Sequence, residues 1–159
     1  ANKYAAEIDT YNLDRRDADK RITKEALKQI EEQKEQDRLT TVVYHKDWHK
    51  GVIGIVASRL IETYYRPTIV FTRSGDKLAA SARSVRGFDV YNAIESCSEY
   101  IEQFGGHKYA AGLTLKKENL LAFQNKFEKV VSDTITDDLL IPEIEIELTG
   151  NRWNQNPGY

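Results

Sequence analysis

Thr68-Ile69-Val70-Phe71-Thr72-Arg73-Ser74-Gly75-Asp76-Lys77-Leu78-Ala79-Ala80-Ser81-Ala82-Arg83 reads as two strands joined by a tight turn. Residues 68–71 form a short apolar run led by β-branched side chains, as a buried strand does. Ser74-Gly75-Asp76 is a turn signal. Residues 77–83 then return as the hairpin partner. Side chains alternate along a strand, so Lys77, Ala79, Ser81 and Arg83 share one face. Leu78, Ala80 and Ala82 share the other and point toward a core.

Working outward, Pro67 ends a helical pattern over residues 52–64. Its apolar stripe is Ile53, Val56, Leu60 and Ile61, and Gly51 and Gly54 punctuate its start. A β-branched run over 41–45 predicts a strand before it. Downstream, Asp89 is a suitable N-cap for a helix reaching Phe104, with Gly105 and Gly106 as its stop. Residues 110–115 read as a strand and 118–131 as an amphipathic helix. Pro142 precedes a last strand, 143–148, and residues 149–159 read as coil. Upstream, Ala5, Ile8, Asn12, Arg15, Asp19, Ile22, Ala26 and Ile30 recur at spacings of three and four. They predict one helix over 3–37, roughly 50 Å long at ~1.5 Å per residue. That exceeds what one small domain covers, so part of it is expected to pack on something further. The fold class that follows is α/β, a mixed sheet flanked by helices and preceded by a long linker helix. The expected divisions are 1–40 for the linker, 41–135 for the main domain, and 136–159 for the start of a following domain or a tail.

Composition bounds the function. A hydrophobic fraction of 40% with 30% charged residues excludes bulk disorder. No apolar run approaches the ~20 residues of a membrane span, and the first residues lack a secretory signal. Cys97 is the single cysteine, which fits a reducing, cytoplasmic setting. The chain starts at Ala1 and contains no methionine, which suggests a piece of a longer protein. Its formal net charge is −2, but residues 41–117 carry 11 basic against 7 acidic groups. That middle block is where a phosphate-rich partner is expected.

Three constellations carry possible chemistry. In Gly105-Gly106-His107-Lys108-Tyr109-Ala110-Ala111-Gly112, the glycines admit positive φ and close approach of backbone amides to a ligand. His107 and Lys108 can donate to phosphate oxygens. The plainer alternative is a helix cap followed by a tightly packed strand. No Gly-Lys-Ser/Thr follows, so this is not a Walker A loop. In Ser81-Ala82-Arg83, a hydroxyl and a guanidinium fork share a face and can hold one phosphate; the alternative is an exposed polar strand face. Trp48-His49-Lys50-Gly51-Val52-Ile53-Gly54 leads into a helix N-terminus, which favours anions. Trp48 could stack on a base there, or it could be buried under a capping loop. His45 and His49 are four apart, but they fall across a strand end and a loop, with no cysteine pair to complete a zinc set. Cys97, among Ala93, Ile94 and Ile101, reads as a core residue.

Taken together, His45-Lys46-Asp47-Trp48-His49-Lys50-Gly51-Val52-Ile53-Gly54-Ile55-Val56-Ala57-Ser58-Arg59, Ser81-Ala82-Arg83, Gly87-Phe88-Asp89 and 105–112 resemble the RecJ family of the DHH phosphoesterase superfamily. The N-terminal helix, with Asn12 and Arg15, resembles that family's connector between two core domains. The resemblance covers roughly residues 3–148. It implies the DHH-associated substrate-binding domain of a 5′→3′ single-stranded-DNA exonuclease, an enzyme of DNA repair and recombination. By that resemblance Ser81 and Arg83 hold a 5′-terminal phosphate. Gly105, Gly106 and His107 meet the phosphate near the cleaved bond, with His107 as the catalytic donor. Arg15 reaches the substrate from the connector. Trp48 and His49 are added as nucleic-acid contacts on their loop chemistry, stacking and anion support, and not on the resemblance. The implied partners are single-stranded DNA and a DHH domain of the same polypeptide. No cofactor is expected in this chain; Mn2+ or Mg2+ is expected in the DHH domain, since no Asp-His-His string occurs here. A piece without that domain is expected to be inactive. The alternatives are an oligonucleotide or cyclic-dinucleotide phosphodiesterase of the same superfamily, or a non-catalytic nucleic-acid-binding module. Oligomeric state and protein partners have no sequence signal.

Overall fold

The hairpin over 68–83 forms the middle of a five-stranded sheet in the structure, a computed structural model that describes residues 2–34, 38–136 and 139. The elements run α1 (Asn2–Glu32), β1 (Thr41–Tyr44), α2 (Ile53–Thr63), β2 (Thr68–Ser74), β3 (Lys77–Arg83), α3 (Val90–Glu95), β4 (Gln103–His107), β5 (Ala110–Lys116) and α4 (Leu120–Thr134). Single 3-10 turns precede β4 and α4. The strand order is β1-β2-β3-β5-β4. β1 and β2 are parallel, joined by α2 as a crossover, and the remaining pairs are antiparallel. The sheet is therefore mixed, with helices on both faces and a long helix ahead of it, as expected.

Each face has its own core. Ile69, Phe71, Leu78, Ala80, Ala82, Leu113 and Leu115 point from the sheet toward α3 and α4. They meet Phe123, Phe127 and Val131, which are fully buried at i, i+4 and i+8 of α4. Val43 and Val70 point the opposite way, into Ile53, Val56 and Leu60 of α2 and Ile22, Ala26 and Ile30 of α1. The linker helix is thus anchored from Asp19 onward. Arg59 of α2 places Nε 2.6 Å from the Asp19 carboxylate, and Trp48 donates its indole N–H to Glu25 at 2.9 Å. The Gln29 amide both donates to and accepts from the Tyr44 backbone, at 3.0 and 3.2 Å. That pairing occupies part of an otherwise open strand edge.

Several boundaries differ from the sequence reading. β1 stops at Tyr44 instead of residue 45, β2 runs on to Ser74, and α4 occupies 120–134 instead of 118–131; such offsets are ordinary. The substantive correction concerns the helix expected from Asp89 to Phe104. Asp89 does cap a helix, accepting from the Asn92 amide at 2.9 Å, but α3 ends at Glu95. The chain then makes a 3-10 turn and becomes β4, so Gly105 and Gly106 are strand residues and not a helix stop. Register explains this. Gln103 through His107 pair with Thr114 back through Ala110, leaving Lys108 and Tyr109 as a two-residue hairpin turn. Cys97 follows α3 and is fully buried, as a core residue. The strand expected at 143–148 lies outside the described residues.

Candidate nucleic-acid interface

The face of β3 that carries Ser81 and Arg83 is the face on which α2 packs, beside Val70. α2 lies over β2 and β3, with α1 beside it over β1, and it does not extend over the far strands. Gly112 and Gly105 are exposed, and a methyl group added at Gly105 would meet nothing within 4 Å. The register turns this into a surface of defined composition. Ser81, Gly112 and Gly105 align across β3, β5 and β4. Two residues along, Arg83, Ala110 and His107 align in the same way. Directly paired residues of antiparallel strands point to the same side. The hydroxyl, the guanidinium and the imidazole therefore border one open floor of glycine and alanine. An open depression lined by Glu102, Gln103, Gly105, Gly112 and Thr114 continues it along the sheet.

Local contacts orient two of the three polar groups, Arg83 and His107. Arg83 donates from Nη1 to the Ala82 carbonyl at 2.8 Å, and its guanidinium lies beside the first turn of α2 at Gly54. His107 accepts from the Tyr109 amide through Nδ1, at 3.4 Å. With Nδ1 accepting, a neutral ring carries its proton on Nε2, and that N–H is the donor it can offer an oxyanion. The turn that orients His107 is itself tied down. Ser84 donates its amide to the Tyr109 carbonyl at 3.1 Å, and Val90 donates to the Lys108 carbonyl at 2.9 Å. The Tyr109 hydroxyl accepts from the Gly87 amide at 3.2 Å. The 84–90 loop and the hairpin turn are one laced unit.

Gly106 stands out of phase with this face. It pairs with Ala111, which points into the α3–α4 core, and its φ is +137°. A Cβ there would lie 2.4 Å from the Ala110 carbonyl oxygen and 2.6 Å from the Ala111 Cα. Glycine is required at 106 by the backbone, whereas at 105 it leaves the floor bare.

Ser81, Arg83, Gly105 and His107 are thus brought together. Trp48 is not: it is 4% exposed, with His45 stacked at 5.7 Å and Glu25 on its indole nitrogen. Its side chain is buried and its indole donor is taken within the fold, so Trp48 does not border the open face. His49 is exposed in the loop before α2, with Nδ1 accepting from the Gly51 amide at 2.9 Å. Its neighbour Lys50 reaches Ser74 at 3.3 Å, at the end of the β2–β3 hairpin away from Arg83. Arg15 is on α1, with its side chain outside the described residues. Gly54 and Tyr109 fall within the quoted strings, but the sequence did not show that Gly54 borders Arg83 or that Tyr109 orients His107. A glycine inside the apolar stretch of a helix, Ile53-Gly54-Ile55, was the available signal for the first.

Among the described residues, no group of three or more His, Cys, Asp or Glu side chains could hold a metal ion. Nor does any described helix have the length and apolarity to cross a membrane. At the far end of the open face, Lys77 and Lys116 are paired across β3 and β5. Glu102 lies 2.6 Å from Lys77 and 3.9 Å from Lys116. The hydrogen bond from Lys77 holds the Glu102 carboxyl below its usual range, and Glu102 raises Lys77 in return. Burial pushes the Cys97 thiol up to about 11, so it is a packing group and not a nucleophile.

Residues 36–133 match the DHHA1 domain family. Over 150 residues the chain is 38% identical to the single-stranded-DNA-specific exonuclease RecJ of Bacillus subtilis, covering 93% of this chain and 19% of that protein. It is 35% identical over 152 residues to the Escherichia coli protein of the same name, covering 91% and 26%. The chain therefore spans about a fifth to a quarter of these relatives. Its fold is that of a RecJ crystal structure bound to manganese, with a TM-score of 0.75 and 25% identity over 86% of this chain and 33% of the other. The Thermus thermophilus RecJ structure with Mg2+ gives a TM-score of 0.73 at 24% identity, over 87% and 21%. By these matches this chain belongs to the DHHA1 domain family, and over this domain it is similar to the RecJ proteins.

Proposed function

We propose that this chain is the substrate-binding domain of a RecJ-like exonuclease that degrades single-stranded DNA in the 5′→3′ direction. Its open face grips DNA phosphates opposite a DHH domain carried elsewhere in the polypeptide. That DHH domain would hold two Mn2+ or Mg2+ ions, which supply the hydrolytic chemistry; the described residues of this chain provide no such site. The observation that carries the reading is the alignment of Arg83 with His107 and of Ser81 with Gly105 across three strands. A hydroxyl and a planar guanidinium fork suit the oxygens of a terminal phosphate. Gly105 exposes its backbone, so the strand can approach the sheet closely. His107 is in reach of the same floor as a donor to charge developing on a phosphate. Residues 1–40 then serve as the connector helix and 41–135 as the gripping domain.

Arg83→Ala is the direct test, using short oligothymidylates with a 5′-phosphate or a 5′-hydroxyl end. A charge-assisted hydrogen bond contributes ~1.5–3 kcal/mol net, so the preference for the phosphorylated end should shrink by roughly one to two orders of magnitude. Arg86→Ala, beyond the end of β3, should change it little. If Arg86→Ala abolishes the preference and Arg83→Ala leaves it intact, the terminal phosphate is held elsewhere.

A further inference from the structure

Gly54 occupies the first turn of α2, between Ile53 and Ile55. A glycine inside a helix is less stable than alanine, because it loses more backbone freedom on folding. Backbone conformation does not demand it: the described glycines with positive φ are Gly75, Gly87 and Gly106. Space demands it. A methyl carbon at this position would lie 2.6 Å from Nη2 of Arg83, 3.5 Å from its Cζ and 3.6 Å from the Ser81 hydroxyl. The one crowded atom is Nη2, the tip of a flexible side chain and not backbone; Cζ and the Ser81 hydroxyl stand at ordinary contact distance. A substitution here would leave helix and sheet in place and push the guanidinium aside.

We infer that Gly54 is a positioning residue for the anion pocket: the missing side chain lets the Arg83 guanidinium lie against α2, in line with Ser81, so that both groups address one phosphate. The inference rests on the phosphate-gripping reading proposed above. The guanidinium is held from two sides. The Ala82 carbonyl takes Nη1 at 2.8 Å, and the bare Gly54 backbone bounds Nη2. An arginine fork recognises phosphate by orientation as well as charge, so a displaced fork keeps its charge and loses its fit. Gly54 thus contributes to specificity at a cost in helix stability. A purely structural glycine would show the opposite pattern on substitution.

The test uses the full 159-residue chain in four forms: wild type, Gly54→Ala, Arg83→Lys, and the double variant. Fluorescence anisotropy gives the affinity ratio for 5′-phosphorylated over 5′-hydroxyl oligothymidylate, and thermal denaturation gives Tm. Gly54→Ala should have an equal or higher Tm, while its affinity ratio falls by roughly tenfold, one charge-assisted hydrogen bond's worth. Arg83→Lys should lower the ratio in the wild-type background and add little in the Gly54→Ala background, because both changes remove the same oriented fork. A wild-type ratio retained by Gly54→Ala overturns the inference and leaves the phosphate-gripping reading standing. A lowered Tm with loss of folded signal makes Gly54 a packing residue and also overturns it. No end preference in the wild type overturns the reading and the inference together.

Discussion

Gly105 and Gly106 are adjacent and do different things. At 106 the backbone sits at φ +137°, with a carbonyl oxygen 2.4 Å from where a Cβ would stand. At 105 the same addition meets open space. Gly106→Ala should therefore destabilise the chain by at least about 1–3 kcal/mol, the cost of a strained backbone. Gly105→Ala should fold as well as wild type and bind oligothymidylate more weakly, since its methyl covers the floor. Urea denaturation with parallel anisotropy titrations separates the two; equal destabilisation by both would contradict the assignment. At this scale the sequence was legible where alternation governs. Ser81 and Arg83 could be placed on one face because strand side chains alternate. For Trp48 the sequence left stacking and burial both open, because its neighbours Lys46, Asp47, His49 and Lys50 are all charged or polar. It is buried in the cluster with Ile22, Ala26 and Ile30 of α1 and donates to Glu25, 23 residues away in the chain, contacts that no local pattern encodes.

Among the elements, β4 is the one the sequence concealed. Val90, Ala93, Ile94, Cys97, Ile101 and Phe104 keep helical spacing through the point where the helix has already ended. Two glycines weaken any strand signal over 103–107. Pairing with β5 decides the matter, and it also carries Gly105 and His107 to the side of the sheet that holds Ser81 and Arg83. The hairpin over 68–83 and the stripe of α4 were legible, since their periods match their burial. At the outer end of β4, Glu102 bridges Lys77 and Lys116, and this clip makes a prediction about pH. The folded-state pKa of Glu102 is lowered, chiefly by the Lys77 hydrogen bond. Its contribution is present above the ordinary carboxylate range and is lost as pH falls through the folded value. Lys77 is raised, so its contribution is present below the ordinary lysine range and is lost as pH rises through the folded value. The Tm of Glu102→Gln should fall below that of wild type by a small margin near neutral pH. The margin should close in acid, below the Glu102 pKa, and again at strongly alkaline pH. A margin unchanged from pH 3 to pH 7 would show that the carboxylate charge is not what holds the clip.

At the scale of the molecule, the sheet is covered unequally. α3 and α4 cover one face, while on the other α1 and α2 stop at β3. The uncovered part is where the glycines, the paired lysines and the proposed anion pocket all fall. Within α4 itself Lys126 and Lys129 balance Glu128 and Asp133, so the unequal cover of the sheet, and not charge, distinguishes the open side. The central claim is that phosphates bind on the open β3–β5–β4 face, and the most direct measurement is an NMR titration of the chain's backbone amides with 5′-phosphorylated oligothymidylate. Shifts are expected at Ser81, Arg83, Gly105, His107 and Gly112, with little change along α4 from Phe123 to Val131, and affinity should fall steeply as salt rises, because phosphate contacts release counterions. Shifts confined to α3 and α4, with the five face residues unmoved at saturation, would contradict it.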